Sequence, residues 1–347
     1  MKILIVKPSS LGDVIHAMPV VAAIRTLAPD WEIHWLVNSS FAGLVEMTEG
    51  VSKIYRFERH LWKSGQKVTL NIRKLYHLAK ELRREKYDLL LDLQGLFRSG
   101  FLSWLTGVKR RIGFDNAREG AVFFYSEKIH VRGKALHALD ANLESLKNLF
   151  PGRPLPPVAF KMRFPPAVLA AVREKGFDAL LSKEPYCVFS PQARWASKTW
   201  PKENFLKLAL KMAESSRHKI VITGSREDLD FWEKAEKEHP KKIICLLDKT
   251  TLPELAWIIS GCQFMVCNDS GPMHLAGAFH KKVIALMGPT KPEKTGPYWN
   301  ACIVREPVSC SPCLKRECPN GEKGMECMKR ITPEKVFKII EKEGLIS

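Results

Sequence analysis

Short apolar runs and amphipathic stretches alternate along this chain, and the alternation is interrupted once. The interruption is Pro151-Gly152-Arg153-Pro154-Leu155-Pro156-Pro157, where four prolines and a glycine fall in seven residues. Such a segment sustains neither a helix nor a central strand. Before it, strand signals at 2–6, 32–37, 51–57, 87–93 and 110–114 are separated by helical patterns at 13–27, 41–47, 68–86 and 98–105, with a further helix at 137–150. After it the pattern restarts. Strands are expected at 186–190, 219–223, 243–247, 264–268 and 283–286, helices at 202–213, 227–238, 252–259 and 273–279, and a closing helix at 332–343. Strands alternating with helices imply parallel sheets, and runs such as Leu89-Leu90-Leu91 are apolar on both faces, as a parallel sheet requires. The expectation is an α/β protein of two Rossmann-like domains, 1–150 and 167–347, joined by a linker at 151–166. The closing helix is free to pack back on the first domain. Open α/β sheets bind ligands beyond the carboxyl ends of their strands, so two such sheets are expected to face a central cleft.

Composition narrows the function classes. The 347 residues suit two domains, and a hydrophobic fraction of 45% with a charged fraction of 27% is ordinary for a globular protein. The opening apolar run is too short for a signal peptide, and no stretch approaches the roughly 20 apolar residues of a membrane span. The net charge of +18 favours an anionic partner. Its densest region is Lys53 to Lys86. Arg73–Lys86 reads as a solvated helix face, whereas Arg56–Lys67, with Lys63 and Trp62, lacks helical spacing and suits an acceptor-binding loop. Nucleic acid is set aside because no recognition motif accompanies the charge. Cys187, Cys245, Cys262 and Cys267 sit in or beside apolar runs and read as buried thiols.

Four strand–turn–helix junctions carry candidate chemistry. In Lys7-Pro8-Ser9-Ser10-Leu11-Gly12-Asp13, Gly12 permits a tight turn and Asp13 falls at a helix start, where it serves as a cap or, at a strand's carboxyl end, as a general base. The loop Ser190 to Pro201 presents Lys198 between Trp195 and Trp200; a lysine there is a surface charge or a phosphate contact. In Asn268-Asp269-Ser270-Gly271-Pro272-Met273-His274, Ser270 and Gly271 open a helix, a natural phosphate site. Asp269 and His274 are either cap and packing residues or ligand contacts. Gly288-Pro289-Thr290 places a hydroxyl after the strand at 283–286.

Taken in order, and with Asp92-Leu93-Gln94-Gly95-Leu96, Asn116-Ala117-Arg118-Glu119 and Lys198-Thr199-Trp200-Pro201, these strings resemble the ADP-heptose:lipopolysaccharide heptosyltransferases, glycosyltransferase family nine, nearly end to end. The resemblance implies a GT-B fold, an inverting transfer and no metal at the active site. It puts the base on Asp13 and the phosphate-contacting lysine on Lys198. Donor contacts fall on Asp269, Ser270, Gly271, His274 and Thr290, and the ribose-gripping acid falls on Glu227. The resemblance puts Arg118 near the acceptor; Ser10, Gly12 and Gln94, at the strand ends, and Lys63, in the Arg56–Lys67 loop, are the further acceptor-binding candidates. The implied donor is ADP-heptose, and the acceptor is lipid A–Kdo or a heptosylated core. The implied setting is cytoplasmic, peripheral to an anionic inner membrane, as a monomer. The N-terminal half resembles the first heptosyltransferase type; the tail resembles the second, so the type stays open.

Two features lie outside that pattern. Asp228-Leu229-Asp230 spells the Asp-x-Asp of metal-dependent glycosyltransferases, yet it falls in the first turn of an expected helix, where acids are favoured anyway. Cys310, Cys313, Cys318 and Cys327 are spaced closely enough to hold zinc or an iron–sulfur cluster, although the spacing fits no common zinc site closely. No cofactor is expected to be required, and a metal at the tail would be structural. Three alternatives remain open: a family member using another nucleotide sugar, a nucleotide-sugar epimerase on the same scaffold, and a metal-dependent binding protein.

Overall fold

The computed structural model describes residues 1–58, 68–131, 136–321 and 324–346, side chains 68–72 excepted. Lys63 and most of the Arg56–Lys67 loop lie outside the described residues. The chain forms two compact units, Met1–Arg163 and Phe164–Ser347.

In the first unit the elements run β1 (Lys2–Val6), α1 (Leu11–Leu27), β2 (Glu32–Asn38), α2 (Ala42–Glu46), β3 (Lys53–Phe57), α3 (Val68–Arg84), β4 (Leu89–Asp92), α4 (Phe97–Leu105), β5 (Arg111–Phe114), β6 (Glu127–Ile129), α5 (Ala138–Glu144) and α6 (Leu146–Leu149). The described strands form a parallel sheet of order β3-β2-β1-β4-β5-β6. The single helix expected over 137–150 is two. Ser145 turns its hydroxyl back onto the Asn142 carbonyl, 2.5 Å away, and its N–H also bonds that carbonyl. A serine that bonds nearby backbone competes with helix continuation in this way. One face of the sheet is covered by a core containing Leu4, Val6, Leu36, Tyr55, Leu82 and Leu90.

The second unit runs α7 (Pro166–Glu174), α8 (Phe177–Leu181), β7 (Tyr186–Ser190), α9 (Lys202–Ser215), β8 (Lys219–Ile222), α10 (Leu229–Glu238), β9 (Ile243–Cys245), α11 (Leu252–Gly261), β10 (Phe264–Asn268), α12 (Gly271–Ala278), β11 (Lys282–Leu286), α13 (Pro292–Thr295), β12 (Ala301–Val304), α14 (Glu326–Lys329) and α15 (Pro333–Lys342). Its parallel sheet has the order β12-β11-β10-β7-β8-β9. Strands β6 and β12 and helices α7, α8, α13 and α14 have no counterpart among the elements expected from the sequence. The apolar face of α15, Val336, Phe337 and Ile340, is buried in the core of its own unit with Trp200, Phe205 and Met212.

Both strand orders are those of the doubly wound dinucleotide fold, in which the chain reverses direction of progress once. The reversal falls between β1 and β4 in the first unit and between β7 and β10 in the second. Loops leaving adjacent strands at such a point diverge to opposite faces of the sheet and leave a crevice. The four junctions singled out in the sequence leave β1, β7, β10 and β11.

Candidate functional site

In the first unit, β1 ends at Val6 and the chain enters α1 with Ser10 as its N-cap. The backbone N–H and the hydroxyl of Ser10 both donate to Oδ2 of Asp13, at 2.8 and 2.7 Å. This is the reciprocal half of a capping box, and the helix dipole favours a carboxylate there. Asp13 therefore caps the helix and at the same time sits half-buried at the switch point of the sheet. Gly12 departs from the expected turn: it lies inside the first turn of α1 rather than before it.

Beneath this turn, Lys7 is buried and donates to the carbonyl of Leu93, 2.6 Å away, beyond the end of β4. Burial drives its ammonium below the ordinary lysine value, while Asp13 and Asp92 pull the other way. Asp92 has no exposed surface and accepts from the Tyr125 hydroxyl (2.8 Å) and the N–H groups of Gln94 (2.8 Å) and Gly95 (3.2 Å). Burial nonetheless raises its pKa. The Gln94 side-chain carbonyl accepts the Ser9 N–H at 3.0 Å, stitching the two loops of the switch point together. Arg118 is exposed, and its N–H donates to the Gly95 carbonyl at 2.9 Å. Ser10, Gly12, Asp13, Gln94 and Arg118 thus gather around the ends of β1 and β4, while Lys63 is outside the described residues. Lys7 and Asp92 lie inside the motif strings, but the sequence alone assigns neither a role. A charged residue closing an all-leucine strand was the available signal for Asp92. For Tyr125, distant in sequence, there was none.

In the second unit, Lys198 Nζ lies 2.7 Å from Oδ2 of Asp269, with only 15% and 5% of the two side chains exposed. The Thr290 hydroxyl donates to the same oxygen at 2.5 Å. Three loops, following β7, β10 and β11, therefore converge on one carboxylate. Asp269 does not cap α12; Ser270 holds the N-cap position and makes no side-chain capping bond. Its hydroxyl is buried and has no hydrogen-bond partner, which is costly for a polar group unless a ligand supplies one. The ammonium of Lys198 also stands 4.5 Å from the centre of the Trp195 ring, a cation–π contact that fixes its direction. Asn268, fully buried, ties the loops from behind: it accepts the Trp200 N–H at 3.1 Å and donates to the Pro191 carbonyl at 2.7 Å.

His274 is buried one turn into α12. Glu227 is exposed in the loop after β8, where its carbonyl accepts a hydrogen bond from the Gln192 amide. The same Gln192 accepts the N–H and hydroxyl of Ser225, at 2.6 and 3.0 Å, so the loops after β7 and β8 form one platform. Asp228 takes a left-handed conformation at the start of α10 and pairs with Lys202, as a helix-terminal acid does. Cys187, Cys245, Cys262 and Cys267 are buried, and burial pushes all four thiols up.

The second site offers a cation, an orphan hydroxyl and the open N–H groups of an α12 terminus, the chemistry that receives a diphosphate. The first offers a carboxylate within a polar, half-buried turn, the chemistry that takes a proton.

Comparison with known proteins bears on what these sites do. A family model described as glycosyltransferase family 9 (heptosyltransferase) matches residues 75–323. The chain is 30% identical over 344 residues to lipooligosaccharide heptosyltransferase 2 of Campylobacter jejuni, covering 97% of each. It is 28% identical to lipopolysaccharide heptosyltransferase 1 of Escherichia coli K12, covering 88% of this chain and 94% of that one. The solved structure of E. coli heptosyltransferase WaaC with ADP superposes with a TM-score of 0.80 at 24% identity, covering 99% of both chains.

Proposed function

The chain belongs to glycosyltransferase family 9, the heptosyltransferases, and from that premise we propose that it moves heptose from ADP-heptose onto the inner core of lipopolysaccharide. It is a glycosyltransferase of the GT-B α/β class. The observation that carries the donor assignment is the convergence of Lys198, Thr290 and the unpartnered Ser270 hydroxyl around Asp269 at the start of α12.

The transfer is inverting. Asp13 accepts the proton of the attacking acceptor hydroxyl, and the Ser10 N–H and hydroxyl hold its carboxylate in position. The hydroxyl oxygen attacks the anomeric carbon as the bond to the diphosphate breaks. Lys198 and the N–H groups at the α12 terminus take up the negative charge that develops on the departing ADP. Asp269 holds that ammonium, and the diphosphate takes over as its partner. Glu227 binds the ribose, His274 supports the α12 turn against the donor, and Gln94, Gly12 and Arg118 face the anionic acceptor.

The protein works at a membrane surface, because the acceptor is lipid-held. Among the described residues no helix is long and apolar enough to cross a membrane. Support for surface docking comes from α4 and the turn after Arg118. Phe97, Trp104 and Phe123 are 43%, 52% and 86% exposed, Phe97, Phe101 and Phe124 pack ring against ring, and Arg98 on the same helix is exposed. Exposed aromatics flanked by cations suit the interface of an anionic bilayer.

The test is product analysis after incubation with ADP-heptose and either lipid A–Kdo or its singly heptosylated form. A mass increase of one heptose, with the anomeric configuration opposite to the donor's, is expected with one of the two. No heptosylated product with either acceptor contradicts the assignment.

A further inference from the structure

The four tail cysteines converge on one place. Cys310, Cys313, Cys318 and Cys327 all line a single cavity of about 290 Å³. None is in a disulfide, and burial runs from exposed Cys310 through half-buried Cys313 and Cys318 to buried Cys327. Two glycines keep the space open. A Cβ on Gly324 would stand 2.4 Å from the Cys318 sulfur, and one on Gly288 would stand 2.8 Å from the Cys327 sulfur. The Met325 N–H donates to the Cys318 sulfur at 3.2 Å.

The same segment is fastened to the donor site. The Ser197 hydroxyl donates to the Lys315 carbonyl at 2.7 Å, and its N–H donates to the Arg316 carbonyl. The Arg316 guanidinium lies 5.8 Å from the Trp195 ring, the ring that also carries Lys198. On the other side, the Leu314 N–H donates to the Pro289 carbonyl at 2.8 Å and the Ser311 hydroxyl to the Gly288 carbonyl at 2.6 Å. Residues 311–316 thus bridge the Lys198 loop and the Thr290 loop.

We propose that Cys310, Cys313, Cys318 and Cys327 bind a thiophilic metal centre, and that this centre braces the two loops that hold Lys198 and Thr290 against the donor. Four thiols lining one cavity can hold a single zinc ion or an iron–sulfur cluster. Tetrahedral zinc, with bonds of about 2.3 Å, draws its thiolates to within roughly 4 Å of one another. Among the described residues, the group that brings three metal-ligating atoms within 4.8 Å of one another is Glu32, His34 and Glu85, not the cysteines. That group is already neutralised by ammonium groups, with Lys2 and Lys53 at 2.9 and 2.6 Å from Glu85. The centre touches no reacting atom; its residues position Lys198 and Thr290 through the loops.

The experiment is metal and acid-labile sulfide analysis of the full chain purified without oxygen, with ADP titrated by calorimetry on the same preparations. Iron with matching sulfide supports the cluster. Stoichiometric zinc without sulfide supports the four-thiolate site and replaces the cluster by one ion. Cys313→Ser combined with Cys318→Ser removes the metal and weakens ADP binding by about tenfold, within the usual range of coupling between two linked sites. Cys302→Ser, outside the cavity, changes neither. If the double variant does not fold, treating the intact protein with a chelator must still release metal and weaken ADP. Protein with neither iron nor zinc, or unchanged metal content in the double variant, overturns the proposal. Metal content is read without substrate, so it stands or falls apart from the heptose assignment. The effect on ADP rests on that assignment.

Discussion

Replacing Asp269 with asparagine tests the donor site most sharply in energetic terms. The substitution keeps the shape and the bond from Thr290, yet it leaves the Lys198 ammonium, 15% exposed, without its counter-ion. Removing one partner of a buried ion pair costs about 3–5 kcal/mol, because the other charge stays desolvated. The residual exposure of Lys198 puts this pair at the low end, about 3 kcal/mol. In a unit of this size each kcal/mol moves the midpoint by about 2–4 °C, so Asp269→Asn lowers the second unit's transition by about 6–12 °C. Lys198→Met added to it removes the stranded charge and recovers most of that loss. ADP offers the stranded ammonium a new anion, so it raises the midpoint of Asp269→Asn by more than that of the parent. The assay is thermal unfolding followed by hydrogen exchange in β10 and α12, with and without ADP. A loss under about 1 kcal/mol, or a double variant no more stable than the single, would show that no buried pair is held there.

Four further outcomes follow from the same geometry. Asp13→Ala lowers kcat by about 10²–10⁴, the usual worth of a general base, and costs only about 1 kcal/mol of stability from the lost cap; steady-state kinetics and denaturant unfolding read the two separately. Lys198→Ala lowers kcat by about 10²–10³, as loss of a charge-stabilising donor does, in a turnover assay at saturating donor. Glu85, held down to about 2 by Lys2, Lys53 and Tyr55, is deprotonated when folded and protonated more readily when unfolded. Its contribution to stability is therefore complete above the ordinary value of 4.5 and disappears as pH falls toward 2; Glu85→Gln flattens that acid limb in unfolding curves. Trp104→Ser with Phe123→Ser reduces sedimentation with anionic phosphatidylglycerol vesicles while unfolding curves stay unchanged, since both side chains are exposed.

The parallel strands were readable because both faces are buried: Leu89–Asp92, Tyr186–Ser190 and Phe264–Asn268 are near-continuous apolar runs. The elements without a sequence expectation lack that signature. Strand β6 is three residues, two of them charged, and β12 is an edge strand that is only half-buried. Helices α7 and α8 are short and follow the proline-rich segment closely, so composition disguised them. Within the sites, motif strings located each loop but not the partnerships. That Asp269 pairs with Lys198 rather than capping α12 depends on β7 and β10 being neighbours, which strand order alone decides. The tie between Asp92 and Tyr125 depends likewise on the return of the chain after β5.

The most direct measurement of the central claim is ADP release from ADP-heptose by the purified protein, with and without a Kdo-bearing lipid A acceptor or its heptosylated form, beside Asp13→Ala. The account predicts release that requires one of the acceptors and falls at least a hundredfold in the variant, as loss of a general base does. Release that proceeds equally without acceptor, or that survives intact in Asp13→Ala, would contradict it.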